Sequence, residues 1–394
     1  MSKNVLHIIR KSSQLRSTFI KNQITVHIRY RPYIVFKEKS DKPYDGGYAD
    51  FDSEKFEILD LSGMKSEGKK INKYLKRIST SDINAIEKFI KEKSIDILHF
   101  HYGTDAGLYN KLIEKSNLPS LISFYGYDAS SFPKMFYGLG KQFLKRRVFN
   151  TGAMMTAMTE DMKKDLVQLG CDEKKIIVHY HGVGGSVYYY PERKYANRDK
   201  IILLIVSYLA PQKGHLFLFR GIRELLNRGI RNFELRVIGT GELENELKEF
   251  VSANNLCDYI KFLGAMKAHS PEILSEYRNA DIFTHPSVIP ENGDKEGIPG
   301  TVVEAMFCGL PVVSTYHAGI PYIIENGKTG LLVKEWDVNK IADSISLLMS
   351  DSELRKKIGT NAMNYAMENL ILSKKEAMLE EIYDNLISTY KSKN

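Results

Sequence analysis

The chain has 394 residues, 43% of them apolar and 26% charged, which is too long for one ordinary core and fits two domains of roughly 150–200 residues. Its three scattered cysteines (Cys171, Cys257, Cys308) exclude a disulfide framework or a metal knuckle and read as reduced core thiols of a cytoplasmic protein. Charge is divided unevenly: residues 1–200 hold 35 Lys/Arg against 23 Asp/Glu, and residues 201–394 hold 21 against 25, so the front half is the one expected to meet an anion.

In chain order, the opening run VLHII (5–9) is short and is closed by Arg10, which predicts a first strand rather than a signal peptide. Non-alternating apolar runs follow at IDILHF (95–100), SLISF (120–124), AMMTAM (153–158) and KIIVHY (175–180), separated by amphipathic helix-length segments such as 81–93 and 159–169. Such strands lie in a parallel sheet covered on both faces. GLGKQFLKRRVF (138–149) interleaves Lys141, Lys145, Arg146 and Arg147 with Phe143, Leu144, Val148 and Phe149. It reads either as a core helix or as a basic helix resting on an anionic membrane surface. The polar, Pro-containing stretch YYYPERKYANRDK (188–200) predicts a hinge.

The second half repeats the scheme with IILLIVS (201–207), FELRVIG (233–239), YIKFLG (259–264), DIFTHP (281–286), LPVVST (310–315) and GLLV (330–333), then helices near 338–349, 352–369 and 374–390. The longest wholly aliphatic run, IILLIV, falls far short of the ~20 residues that span a bilayer. The fold expectation is α/β, two doubly wound Rossmann-like domains facing across a cleft, with ligands at the carboxyl ends of strands. The expected domains are residues 1–190 and 196–370, with a C-terminal helix over 371–394 packing back on the first.

In DKEGIPGTVVEAMFCGLPVVST (294–315), Glu296 and Glu304 flank a Gly/Pro turn, eight positions apart. Proline suits a first helical turn, so a helix is predicted from Pro299, with the free N–H groups of Gly300 and Thr301 at its positive end, suited to a phosphate. At ~1.5 Å per helical residue the two carboxylates stand about 10 Å apart, room for a sugar at one, a ribose at the other and a diphosphate between. A glutamate in such a place often serves only the helix dipole or a solvated face. Glu304, however, sits in an apolar helix before a buried strand, where a carboxylate is costly unless something bonds it.

These residues, with H-A-G-I-P-Y-I-I-E-N-G-K-T-G-L-L-V behind them (317–333), resemble the retaining glycosyltransferases of family four, GT-B enzymes with an E-x7-E motif. S-T-F-I-K-N-Q (17–23) and F-Y-G-Y-D (124–128) are most similar to the exopolysaccharide, colanic-acid-type branch. The resemblance implies a hexosyltransferase that moves sugar from a nucleotide diphosphate sugar, with UDP as the expected nucleotide, to a glycan or lipid-linked acceptor in surface polysaccharide synthesis. It implies no metal and no other cofactor, and a location at the inner face of the membrane. Glu296 would lie by the donor sugar as a catalytic group, with Gly297 and Ile298 beside it, and Glu304 would hold the ribose. Lys213 would grip the diphosphate, although its partner arginine is replaced by Tyr208. Gly241, in the turn Gly239-Thr240-Gly241, would approach the nucleotide, and Leu263, in Phe262-Leu263-Gly264, would meet the base through its backbone.

On the acceptor side the expected residues are Tyr125, standing where the branch carries histidine, Asp128, and His101 as a catalytic group lining the cleft. His99 and His101 face one side of their strand, but with no third ligand in view they predict no metal site. His179 and His181 read as structural. A metal-dependent GT-A transferase would use an Asp-x-Asp pair, for which only Asp50-Phe51-Asp52 is available, in a polar stretch. A nucleotide-sugar epimerase on the same scaffold and a non-catalytic sugar-nucleotide binder stay open as alternatives. No nucleic-acid partner is expected, because the basic residues are dispersed and no recognised module is present.

Overall fold

The apolar runs become strands of two parallel sheets. The computed structural model describes residues 3–40, 51–64, 77–196 and 198–393. Among these, the first sheet is formed by β1 (Lys3–Lys11), β2 (Tyr30–Glu38), β3 (Glu57–Asp60), β4 (Ile97–His101), β5 (Ser120–Ser123), β6 (Met154–Ala157) and β7 (Ile176–Val178). Its order is β3-β2-β1-β4-β5-β6-β7, the doubly wound arrangement in which the order reverses beside β1. The second sheet takes β8 (Ile201–Val206), β9 (Phe233–Ile238), β10 (Ile260–Gly264), β11 (Ile282–His285), β12 (Val312–Thr315) and β13 (Leu331–Val333) in the order β10-β9-β8-β11-β12-β13. Every strand run predicted above contains an observed strand. β2 and β3 are additional.

Crossover helices start where the sequence caps them. Ser79 and Asp82 form a reciprocal capping box for Thr80–Glu92, and Thr159 accepts the Met162 N–H ahead of Glu160–Gln168. The second unit closes over one apolar core in which β8 and the helix His215–Asn227 are central.

The chain divides into two compact units, residues 1–181 with 372–394, and residues 182–371. The stretch 188–200, expected as a hinge, is instead fastened within the second unit. The Arg193 guanidinium donates to the carbonyls of Cys308, Ala280 and Tyr277, and the Tyr195 hydroxyl to that of Gly309. The last helix, Leu372–Lys393, packs Leu379, Tyr383 and Ile387 against Val5, Ile97 and Leu121 of the first sheet. Its Glu376 meets His27 Nδ1 at 2.6 Å, and Glu380 accepts the Ile28 and Arg29 N–H groups at 2.7 and 2.9 Å.

Candidate active site

In the second unit the candidate residues converge on the segment that follows β11. Gly214 adopts a left-handed φ of 69°, and a Cβ there would stand 1.9 Å from the Pro286 carbonyl oxygen, so only glycine allows this approach. The approach sets Lys213, at the end of the turn Pro211–Lys213, against Glu296, and the two form an ion pair. Glu296 Oε2 also accepts the Ser287 hydroxyl at 2.8 Å and faces His285 Nε2 at 3.3 Å. Burial alone would raise this carboxyl, but Lys213 and His285 outweigh it and hold the group well below the usual carboxylate range. Glu296 is therefore a committed carboxylate.

Glu304 is its electrostatic opposite. It is buried inside the helix Gly300–Phe307, where Tyr277 donates to it at 2.8 Å. Burial pushes its pKa up to about 7, against the opposing effect of Tyr277 and Tyr188. Pro299 is the N-cap, so Gly300 and Thr301 begin the helix one residue later than predicted. Ile298 is buried beside them, and Gly297 presents its carbonyl to Gly319, where a Cβ would come within 2.3 Å.

The remaining donor-side candidates are spread around the strand ends. Gly239 and Gly241 have packing reasons of their own, since Cβ atoms there would lie 1.9 Å from the Ser207 carbonyl oxygen and 2.4 Å from that of Leu209. Leu263 is partly exposed on β10, beside a register shift between Phe262 and Gly264. Tyr208, in place of the expected arginine, is exposed. Sequence reasoning missed His285, Ser287, His317 and Glu335. His317 lies in the quoted H-A-G-I-P run, but its partner Glu335 is 18 positions away in a loop with no motif of its own.

In the first unit one expectation is corrected. His99 and His101 do have a third imidazole beside them: β1 pairs with β4 in the register His7↔His99, and His7, His99 and His101 have ligand atoms within 4.8 Å of one another. All six ring nitrogens are nevertheless taken up by protein partners. His7 Nδ1 meets His101 Nε2 at 2.9 Å and His7 Nε2 meets His27 Nε2 at 2.9 Å. His99 is bonded to Tyr383 and Ser123, and His101 Nδ1 to the Tyr125 hydroxyl at 2.7 Å. Burial holds all three imidazoles neutral, with His101 lowered to about 3.

His101 is fully buried, and its partner Tyr125 is half-buried and also accepts from Gln23 Nε2. Asp128 is buried and accepts the N–H groups of Gly103, Tyr125 and Gly126, which makes it the organiser of this loop. His179 and His181 are buried in the same unit. Of the Asp-x-Asp candidate, Asp50 lies outside the described residues, and Asp52 caps the turn Ser53–Lys55 by accepting the Glu54 N–H.

The chain matches two family models, Glycosyl transferases group 1 over residues 190–365 and Glycosyltransferase Family 4 over residues 68–184. It is 32% identical over 271 residues to the amylovoran biosynthesis glycosyltransferase AmsK of Erwinia amylovora, covering 67% of this chain and 63% of that protein. It is 31% identical over 249 residues to the protein named as the colanic acid biosynthesis glycosyltransferase WcaL of Salmonella typhimurium, covering 63% and 60%. The match thus spans about three fifths of these relatives' length. Among solved structures, Anabaena HepE in complex with UDP and glucose superposes with a TM-score of 0.73 at 16% identity, covering 96% of this chain and 99% of that one. Sucrose-phosphate synthase of Thermosynechococcus elongatus gives 0.75 at 14% identity, covering 98% and 100%, so the two Rossmann-like units share the GT-B fold class. The chain belongs to the family-four glycosyltransferases, and the two relatives just described are named for amylovoran and colanic acid biosynthesis.

Proposed function

We propose that this protein is a retaining hexosyltransferase that takes sugar from a UDP-sugar and adds it to a glycan or lipid-linked acceptor in surface polysaccharide synthesis. The observation that carries the reading is the contrast between the two glutamates of the E-x7-E segment: Glu296 charged against Lys213, Glu304 half-neutral behind tyrosines. In this reading Lys213 and the N–H groups of Gly300 and Thr301 take the diphosphate, Glu296 the hydroxyls of the sugar, and Glu304 the ribose. The bond from the anomeric carbon to the diphosphate oxygen breaks, the acceptor oxygen bonds to that carbon, and the acceptor's proton leaves with the diphosphate. Charge developing on the diphosphate is what the Lys213 ammonium stabilises. The UDP bound to HepE and the names of the exopolysaccharide relatives support this choice of donor and pathway.

Thermal shifts against a panel of UDP- and GDP-sugars test the donor, since only a ligand that binds the folded state raises the transition. Stabilisation by UDP-sugars, with transfer that persists in excess EDTA, is the expected result. No shift with any nucleotide sugar would refute the proposal, and activity lost to EDTA and restored by Mn²⁺ would refute its metal independence.

A location at the inner membrane face is also proposed, on a surface shifted from the one the sequence indicated. In the helix Met135–Leu144 and the π-helical turn Lys145–Phe149, the side chains of Leu144, Val148 and Phe149 are buried. The exposed apolar groups are Tyr127, Met135, Tyr137 and Leu139, with exposed Lys134, Lys141, Lys145 and Arg146 nearby in the chain. No helix among the described residues is long and apolar enough to cross a membrane. The full chain should sediment with anionic vesicles at low salt and be released as salt screens the attraction, and Tyr137→Ser with Leu139→Ser should weaken this binding. Equal binding to neutral vesicles, or none, would count against this location.

A further inference from the structure

The segment that carries Glu296 is held at both ends by one side chain that no motif contains. Glu335 follows β13, and its two carboxylate oxygens serve different partners. Oε2 accepts the Ile289 N–H at 2.8 Å, and Oε1 meets His317 Nδ1 at 2.8 Å. The second contact fixes chemistry further on. A carboxylate only accepts, so His317 Nδ1 carries a proton, and Nε2, approached by a backbone N–H that can only donate, serves as the acceptor. That N–H is the one of Glu296, at 3.2 Å. Glu335 therefore fastens position 289 directly and position 296 through the imidazole.

Between these points the chain makes its own turns, with Gly293 N–H bonded to the Pro290 carbonyl and Asp294 N–H to Asn292 Oδ1. Just before them, the Val288 N–H bonds the Gln212 carbonyl, next to Lys213. His317 is fully buried, Ala318 after it has a φ of 41°, and Gly319 leaves the space that the Gly297 carbonyl occupies. Three loops that follow successive strands, β11, β12 and β13, thus close on Glu296, the anionic half of the ion pair with Lys213.

We infer that Glu335 and His317 are positioning residues for the donor sugar: they lock the backbone of 289–296 so that the Glu296 carboxylate meets the sugar in one place. This inference rests on the transferase reading for its purpose, but the clamp itself can be tested without any donor. A carboxylate displaced by about 1 Å loses much of its value in an oriented reaction, which is why such a lock matters for turnover.

Three near-isosteric variants of the full chain separate the links. Glu335→Gln offers one oxygen where two donors need acceptors. His317→Gln places a carbonyl oxygen near the position of Nε2, and His317→Phe removes that acceptor. Amide hydrogen exchange, read at Ile289 and Glu296 with the amides of β8 and β12 as internal references for folding, should show three patterns. Glu335→Gln should speed exchange about tenfold at both positions, His317→Phe about tenfold at Glu296 alone, and His317→Gln should restore protection there. In transfer assays Glu335→Gln and His317→Phe should lower kcat/KM for the donor about tenfold, with His317→Gln recovering part of it.

The clamp is overturned if Glu335→Gln accelerates exchange at Ile289 only, or if both variants exchange and turn over like wild type. If the exchange patterns hold but wild type binds no nucleotide sugar, the clamp stands and the transferase reading fails.

Discussion

Lys213→Ala should remove nearly all transfer activity and, in the same protein, destabilise the second unit. Two effects have one origin. The lysine is the cation assigned to the diphosphate, and it is also the counter-charge that keeps Glu296 ionised inside the protein. Removing one partner of a buried pair leaves the other uncompensated, at a typical cost of about 3–5 kcal/mol. Glu296 should respond by taking up a proton, because burial then acts on it with its largest opposing charge gone. The measurement is a denaturant series on wild type, Lys213→Ala, Glu296→Gln and the double variant. The double variant should recover most of the stability lost by Lys213→Ala while remaining inactive. Lys213→Ala with most of its activity intact would mean that the diphosphate is neutralised by another residue. Tyr208→Arg offers the complementary gain, since Tyr208 is exposed at the position where an arginine is expected and a guanidinium there would add a bidentate contact.

What the sequence made legible was what lies close together along the chain. Glu296, Gly300 and Glu304 belong to one turn and one helix, so spacing and burial pattern sufficed to single them out. The strands with uninterrupted branched residues were equally clear. β2 was not, because YRPYIVFKE carries charges at both ends and a proline at its third position, and β3, EILD, is only four residues long with an acidic group at each end. The groups that define the electrostatics were hidden for a different reason. Lys213 reaches Glu296 across 83 positions only because Gly214 lets two backbones touch, and no periodicity encodes that touch. His7 joins His99 and His101 through the register of β1 on β4. Their burial among one another's nitrogens explains why His101, pictured as lining a cleft, is instead enclosed and bonded to His7 and Tyr125. Glu380 and Tyr383 likewise meet their partners Arg29 and His99 from the far end of the chain.

Glu304→Gln should stabilise the protein above neutral pH while weakening nucleotide binding. In the folded state burial raises this carboxyl from an ordinary value near 4.5 to about 7, so folding takes up a proton there. A raised carboxyl leaves stability untouched below about 4.5, erodes it as pH climbs from 4.5 to 7, and carries the full penalty above 7. The difference between those two values corresponds to roughly 3 kcal/mol of strain in the ionised form, as an upper figure. Glutamine has the same shape, can still accept from Tyr277, and never ionises. The melting temperature of Glu304→Gln should therefore match wild type near pH 4.5 and exceed it at pH 8, by roughly 2–4 °C per kcal/mol recovered. The same change removes the charge assigned to the ribose hydroxyls, whose hydrogen bonds to a carboxylate are about twice as strong as neutral ones. UDP should then bind about tenfold more weakly at pH 8, where wild-type Glu304 is ionised, and the gap should narrow towards pH 5, where both side chains are neutral. A variant that is less stable than wild type at pH 8, or that binds UDP equally well there, would show that Glu304 is a framework residue whose charge the nucleotide never uses.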